Sequence, residues 1–255
     1  MPIDPAHWSA TFYDFQDSLT GCYGEPLHPY HYEQATRLTA HLGGPARLLE
    51  LGSGGGQFAV AAALLGHTVT ALDLRPAATQ LTRRLADEHG VQVSTLTGDF
   101  YQLDPGGPYD AVCYWDGFGI GSDAEQRELL GRVVSWLNPG GAAYIEVYTP
   151  WYWADHAGFE RRSEHLTQTY GFDADGCRLT DTYTPANEPP QTQSLRCYSP
   201  ADLRLLLHGT PLELAELWPG GHYDPRTLTW HPQVSLGECQ SYVAALRPRP
   251  PLTLI

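Results

Sequence analysis

The 255-residue chain contains no lysine; all fifteen of its basic residues are arginine. That absence removes two classes of function. Without a lysine amine no Schiff base with pyridoxal phosphate can form, and no Walker-type phosphate loop can be completed. Basic residues of any kind are few: 15 stand against 29 acidic ones, for a net charge of −14. A field of that sign repels phosphate backbones and anionic lipid, so nucleic acid and membranes are not expected as partners. Only Arg83–Arg84 and Arg161–Arg162 place basic residues side by side.

Cysteine is also sparse. Cys22, Cys113, Cys177, Cys197 and Cys239 are odd in number and none is spaced C-x-x-C. The expectation is reduced thiols, no disulfide frame and a cytoplasmic location. The opening MPIDPAHWSATFYDF has no basic start and no apolar core, so no signal peptide is expected. The run AVAAALL is far shorter than the roughly 20 residues a membrane span needs. His28 and His31 stand about one helical turn apart, but no third ligand accompanies them, and no metal is expected.

What is present is an alternation of strands and helices. Asp4-Pro5 reads as a cap and first residue of a helix reaching about Phe15, and Pro29–Leu42 as a second helix. Short apolar strands follow at Arg47–Leu51, Thr68–Leu72, Val91–Leu96, Asp110–Tyr114 and Ala142–Tyr148. Helices are expected between them at Phe58–Leu65, Pro76–His89 and Ala124–Leu137. This spacing predicts βαβ units and a mostly parallel sheet. After Pro150 the pattern changes. A short aromatic helix at 151–157 precedes a hairpin within Arg161–Tyr183, turning at FDADGCR, and a further strand at Gln193–Cys197. Ser199-Pro200 opens a last helix. Leu212–Leu217 and Tyr242–Leu246 close the chain as an antiparallel pair, before a loose proline-rich end.

The densest chemistry lies in the first strand–helix turn, Glu50-Leu51-Gly52-Ser53-Gly54-Gly55-Gly56. Two registers compete. From Gly54 the sequence gives G-G-G-Q-F-A, a loose dinucleotide fingerprint in which a pyrophosphate faces a helix N-terminus. From Gly52 it gives G-x-G-x-G, with Glu50 two residues upstream. A carboxylate there sits badly beside a pyrophosphate and suits a ligand with a cationic amino-acid end. Asp73, at the end of the second strand, can accept from ribose hydroxyls of either ligand. The aspartate of GDF at 98–100 stands after the third strand.

Four features in order, LLELGSGGGQFA, TALDL, GDF and YDAVCYWDG followed by LNPGGAAYIEV, resemble the class I S-adenosylmethionine-dependent methyltransferases over Arg47–Val147. The resemblance implies a three-layer, Rossmann-like α/β fold. Its seven-stranded sheet is mostly parallel with an antiparallel C-terminal strand. An N-terminal helical lid and an antiparallel β insertion after strand five are added to it. It further implies S-adenosylmethionine as cofactor. Gly52, Ser53, Gly54 and Gly56 would admit its methionine part, with Glu50 orienting it. Asp73 would hold the ribose, Leu74 flank the adenine, Asp99 and Phe100 bind the adenine, and Trp115 line the pocket. The chain is expected to form one domain, 1–255: a lid at 1–42, a cofactor-binding core at 43–150, the insertion at 151–198 and a closing helix and hairpin at 199–248.

Methyl transfer is an in-line displacement that needs proximity and a dry cavity more than a fixed catalytic signature. None is evident. The N/D-P-P-Y/F tetrapeptide of amide and adenine methylation is replaced by Trp115-Asp116-Gly117-Phe118. The acceptor is therefore expected to be a small molecule methylated on O, N or C. It is expected to sit among the aromatics Tyr13, Tyr23, Tyr30 and Tyr32 on one side and Tyr148, Trp151, Tyr152 and Trp153 on the other. His28, His31, His156 and His222 are candidate bases; His31, Tyr30 and Arg196 are the catalytic candidates carried forward, with Arg196 suited to a substrate carboxylate. A homodimer is an open expectation. The competing readings are a nicotinamide-dependent oxidoreductase and an S-adenosylmethionine-binding protein without turnover.

Overall fold

The computed structural model describes residues 5–249. The Asp4 cap and the end of the proline-rich tail lie outside them. Helix α1 spans Pro5–Thr20, five residues past the expected Phe15, and runs into a short 3₁₀ turn at Cys22–Gly24. Helix α2 spans Pro29–Leu42, opened by Pro29 and stopped by Gly43 in the left-handed region.

The alternating core follows as β1 (Arg47–Leu51), α3 (Gln57–Leu64), β2 (Thr68–Asp73), α4 (Pro76–Glu88), β3 (Val93–Thr97), β4 (Tyr109–Tyr114), α5 (Asp123–Trp136) and β5 (Leu137–Tyr148). Helix α3 is short and apolar, and Phe58–Ala62 are buried on every face. It is wedged between the sheet, α2 and α4, and burying a side chain such as Phe58 there contributes about 2 kcal/mol. Ser122 caps α5 in a reciprocal pair with Glu125, a device of about 1 kcal/mol.

The insertion opens with α6 (Pro150–Asp155). It then forms an antiparallel sheet of β6 (Glu160–Arg162), β7 (Leu166–Asp173), β8 (Arg178–Pro185) and β9 (Gln191–Arg196). Helix α7 (Pro200–Leu206) starts at the Ser199 cap, and β10 (Leu212–Pro219) and β13 (Ser241–Pro248) pair antiparallel. Between them stands a small hairpin, β11 (His222–Asp224) with β12 (Thr229–His231), that the sequence pattern did not announce. Each of its strands is three residues long, too short to show a period.

The main sheet has the order β10-β13-β5-β4-β1-β2-β3. Its strands β3, β2, β1, β4 and β5 are parallel, and β13 enters antiparallel between β5 and β10. This is the seven-stranded Rossmann-like sheet that the resemblance implied. The pleat of β1 sends Leu48 into one core layer and Leu49 and Leu51 into the other, which places helices on both faces. Among the described residues no helix is long and apolar enough to cross a membrane.

Candidate active site

In a parallel sheet with helices on both faces, ligands collect beyond the carboxyl ends of the strands. A cavity of about 1560 Å³ lies along that edge here. Glu50 comes from β1, Asp73 and Leu74 from the end of β2, Asp99 and Phe100 from the turn after β3, Trp115 and Asp116 from the end of β4, and Glu146 and Tyr148 from β5. Nine of the ten residues expected from sequence to hold a cofactor line this cavity: Glu50, Gly52, Ser53, Gly54, Asp73, Leu74, Asp99, Phe100 and Trp115.

Gly56 does not. It caps α3, and a Cβ there would stand 2.5 Å from Thr82 of α4. The third glycine therefore serves the contact between α3 and α4. Gly54 is different. Its φ is 53°, and a Cβ would meet the Tyr23 ring at 2.8 Å, so the 3₁₀ turn after α1 rests on the glycine turn itself.

Two latches hold that turn in place. Gln57 donates to the carbonyls of Tyr23 and Glu25. Buried Arg75 pairs with Asp14 at 2.6 Å and Asp17 at 3.1 Å, both on α1, and stacks 4.7 Å from the Tyr23 ring.

The polar groups of the glycine turn are partly unpaired. Glu50 is 4% exposed and Ser53 6% exposed, and Glu50 Oε2, Ser53 Oγ and Trp115 Nε1 have no hydrogen-bond partner among the described residues. Burial first, and the nearby Asp73 charge second, push the Glu50 carboxyl well above the usual carboxylate range. Asp73 accepts from the backbone amides of Gly54 and Arg75, each at 2.8 Å. Burial still raises its carboxyl, against the lowering effect of those two bonds. Asp99 accepts from the Tyr101 amide at 2.8 Å and from Gln102, so one turn both orders the loop and aims the carboxylate.

Donors and acceptors left open in a buried cleft at these positions fit a ligand with an amino-acid end and a nucleoside. They do not fit a pyrophosphate, which would face Glu50.

The catalytic candidates fare less well. Tyr30 and His31 line the cavity, Tyr30 largely exposed and His31 buried. Yet His31 Nδ1 accepts from the His28 amide at 3.0 Å as part of the α2 cap. In the neutral ring the proton is then on Nε2, and burial lowers the pKa to about 4. The free nitrogen is a donor, so His31 is not a base at neutral pH.

Arg196 lies outside the cavity lining. It pairs with Asp123 at 3.4 Å, reaches the carbonyls of Cys177 and Cys197, and stacks 4.7 Å from Tyr198. It ties the insertion to α5 and is not a substrate ligand. His156 is buried against the carbonyls of Tyr152 and Tyr223, and His222 bonds the Glu238 carbonyl. Both are framework residues.

Two cavity residues were missed. Asp116 follows β4 with a φ of 51°, an uncommon conformation for a residue with a side chain. Its side chain opens onto the cavity and is exposed there. The cleft around it first, and the Glu146 and Asp181 charges second, push its carboxyl up to about 8. It accepts from the Tyr148 hydroxyl. Glu146 accepts from the Asp116 amide at 3.3 Å and from Ser241 at 2.6 Å. The signal for Asp116 was present in sequence, as the second residue of the segment that replaces the N/D-P-P-Y/F tetrapeptide. Glu146 had none, because it alternates within an apolar strand.

Comparison with known proteins agrees with this geometry. Residues 48–141 match the family model of a methyltransferase domain. A ubiquinone biosynthesis O-methyltransferase of Xanthomonas axonopodis pv. citri is 31% identical over 124 residues, 48% of this chain and 51% of that protein. The chain thus spans about half the length of the curated relatives it matches.

Among solved structures, the CcbJ methyltransferase of Streptomyces caelestis superposes with a TM-score of 0.69 at 22% identity, over 88% of this chain and 91% of that one. CalS10, an amino pentose methyltransferase of Micromonospora echinaspora solved with S-adenosylmethionine, gives 0.60 at 22% identity, over 91% and 95%. At these identities the shared property is the fold.

Proposed function

We propose that this chain, whose residues 48–141 match the family model of a methyltransferase domain, is a class I methyltransferase that binds S-adenosylmethionine and methylates a small molecule. One observation carries the reading. A single cavity joins the unpaired groups of the glycine turn to a second half lined by Asp116, Glu146 and tyrosines.

Glu50 and Ser53 would hold the methionine end, Glu50 as an acceptor for its ammonium group. Asp73 is kept in place by the Gly54 and Arg75 amides and would accept from the ribose hydroxyls. Asp99, Phe100 and Leu74 would bound the adenine. When bound, the sulfonium supplies an electrophilic methyl group. The protein's part is alignment and exclusion of water. Helix α1, latched through Arg75, and the Tyr23 turn cover the glycine turn and would keep the reacting centre dry. The relatives support an acceptor of small-molecule size, and the five cysteines, all free thiols, agree with a cytoplasmic enzyme.

Calorimetric titration tests the cofactor. One equivalent of S-adenosylmethionine is expected to bind, and NADH is not. NADH binding without S-adenosylmethionine binding would overturn the proposal in favour of hydride chemistry. Release of S-adenosylhomocysteine in the presence of an acceptor separates an enzyme from a protein that only binds the cofactor.

A further inference from the structure

The charge of the cavity is lopsided. Seven carboxylates line it: Glu25, Glu33, Glu50, Asp73, Asp99, Asp116 and Glu146. The arginines in its wall are Arg37 and Arg75. Arg75 is spent on Asp14 and Asp17, and Arg37 is stacked 4.7 Å from the Trp218 ring. An acceptor bearing a carboxylate or phosphate would face these seven acids with Arg37 as the one arginine of the wall not held in an ion pair among the described residues. A neutral acceptor would leave the carboxylates without a counter-charge.

The half away from the glycine turn is more specific still. Asp116 and Glu146 are tied together by the Asp116 amide, and Tyr148 donates to the Asp116 carboxylate. Tyr13, Tyr23 and Tyr30 line the same space. Carboxylates set among aromatic faces make a receptor for an organic cation. Glu50 and Ser53, buried at the glycine turn with oxygens unpaired among the described residues, mark the cavity that the two halves share as a ligand site.

Resting on the methyltransferase reading, we infer that the acceptor is a cationic amine and that Asp116 is the residue that receives its proton. The ammonium N–H bond breaks with its electron pair left on nitrogen, and the proton ends on the Asp116 carboxylate. The freed pair forms the new N–C bond as the S–C bond of the sulfonium breaks, sulfur keeping that pair. Glu146 holds the Asp116 backbone and is a positioning residue. The raised carboxyl of Asp116 suits the task, because a base near neutrality accepts a proton and later returns it to solvent.

The test uses the full chain saturated with S-adenosylhomocysteine. Benzyltrimethylammonium, a cation that cannot be methylated, is titrated against its neutral isostere neopentylbenzene and against benzoate. The cation is expected to bind about tenfold more tightly than the isostere, as one cation–π and ion-pair site allows, and benzoate not measurably. Asp116→Asn, which keeps the shape and tolerates the positive φ, is expected to lose that preference, while Glu146→Gln reduces it in part. Equal binding of cation and isostere, binding of benzoate, or an Asp116→Asn protein that retains the preference would each overturn the inference. Failure of S-adenosylhomocysteine to bind the wild type would instead overturn the methyltransferase reading. The two failures are therefore distinct.

Discussion

The two halves of the cavity are built in opposite ways. In the cofactor half, Glu50, Asp73 and Asp99 stand at or just past the ends of successive strands of one parallel sheet, and nearby backbone amides orient Asp73 and Asp99. In the acceptor half, neighbours in space are remote in sequence. Tyr13 of α1 bonds Gln193 of β9 across 180 positions, and Gln16 bonds Tyr183 across 167. The first half is a property of the local chain. The second exists only after the insertion has docked against α1 and the end of β4.

The largest expected effect follows from that contrast. Gly54→Val puts a β-branched residue at a φ of 53° with its Cβ 2.8 Å from the Tyr23 ring. The turn must move, and Asp73 loses its Gly54 amide. S-adenosylmethionine affinity is expected to fall by about 100-fold, equivalent to ~2.8 kcal/mol. Calorimetry reads this directly, and circular dichroism confirms that the chain still folds. If affinity holds while benzyltrimethylammonium binding collapses, the halves have been assigned the wrong way round.

The same contrast explains what was legible in sequence. Strand–helix alternation, the glycine turn and the acids at strand ends are short-range patterns. The parallel core therefore matches expectation to within a residue or two at most boundaries, and nine of ten cofactor positions fall in the cavity. The exception, Gly56, lies outside the lining, and a glycine that packs against Thr82 looks the same in sequence as one that faces a ligand. His31 had the right address and the wrong chemistry, since its lone pair is consumed by the cap it completes. Asp116 and Glu146 become a pair through the register of β4 against β5, which no local window contains.

A smaller effect separates the halves by pH. Burial raises the carboxyls of Glu50 and Asp73 in one half and of Asp116, Glu146 and Asp181 in and around the other. A folded-state pKa above the unfolded value means that the native state holds more protons between the two. That stabilising contribution is full below the unfolded pKa and is lost as pH rises through the folded one. The thermal midpoint of the ligand-free protein is therefore expected to fall from about pH 5 to about pH 8, where Asp116 titrates. Tyr148 donates to Asp116, and Tyr13, Tyr23 and Tyr30 line the same cavity with hydroxyls that burial raises further above this range. Asp116→Asn should flatten the upper part of the slope, and Glu50→Gln should make the slope of the ligand-free protein shallower. A midpoint that rises across this window would mean the carboxyls are already paired.

The smallest effect tests where the acceptor half ends. Arg196 was a candidate for substrate binding and instead joins Asp123 to the carbonyls of Cys177 and Cys197, outside the cavity wall. Removing it should cost stability and leave chemistry alone. A partly exposed ion pair with charged hydrogen bonds contributes about 1 kcal/mol, so Arg196→Ala should lower the thermal midpoint by roughly 2–4 °C. Affinities for S-adenosylmethionine and for benzyltrimethylammonium should stay within about twofold of the wild type, under 0.5 kcal/mol. A tenfold change in the cation's affinity alone would extend the acceptor half into the insertion sheet. A similar loss for the cofactor would show that the insertion steers the glycine turn through α1, and the division of the cavity into a local and a long-range half would no longer stand.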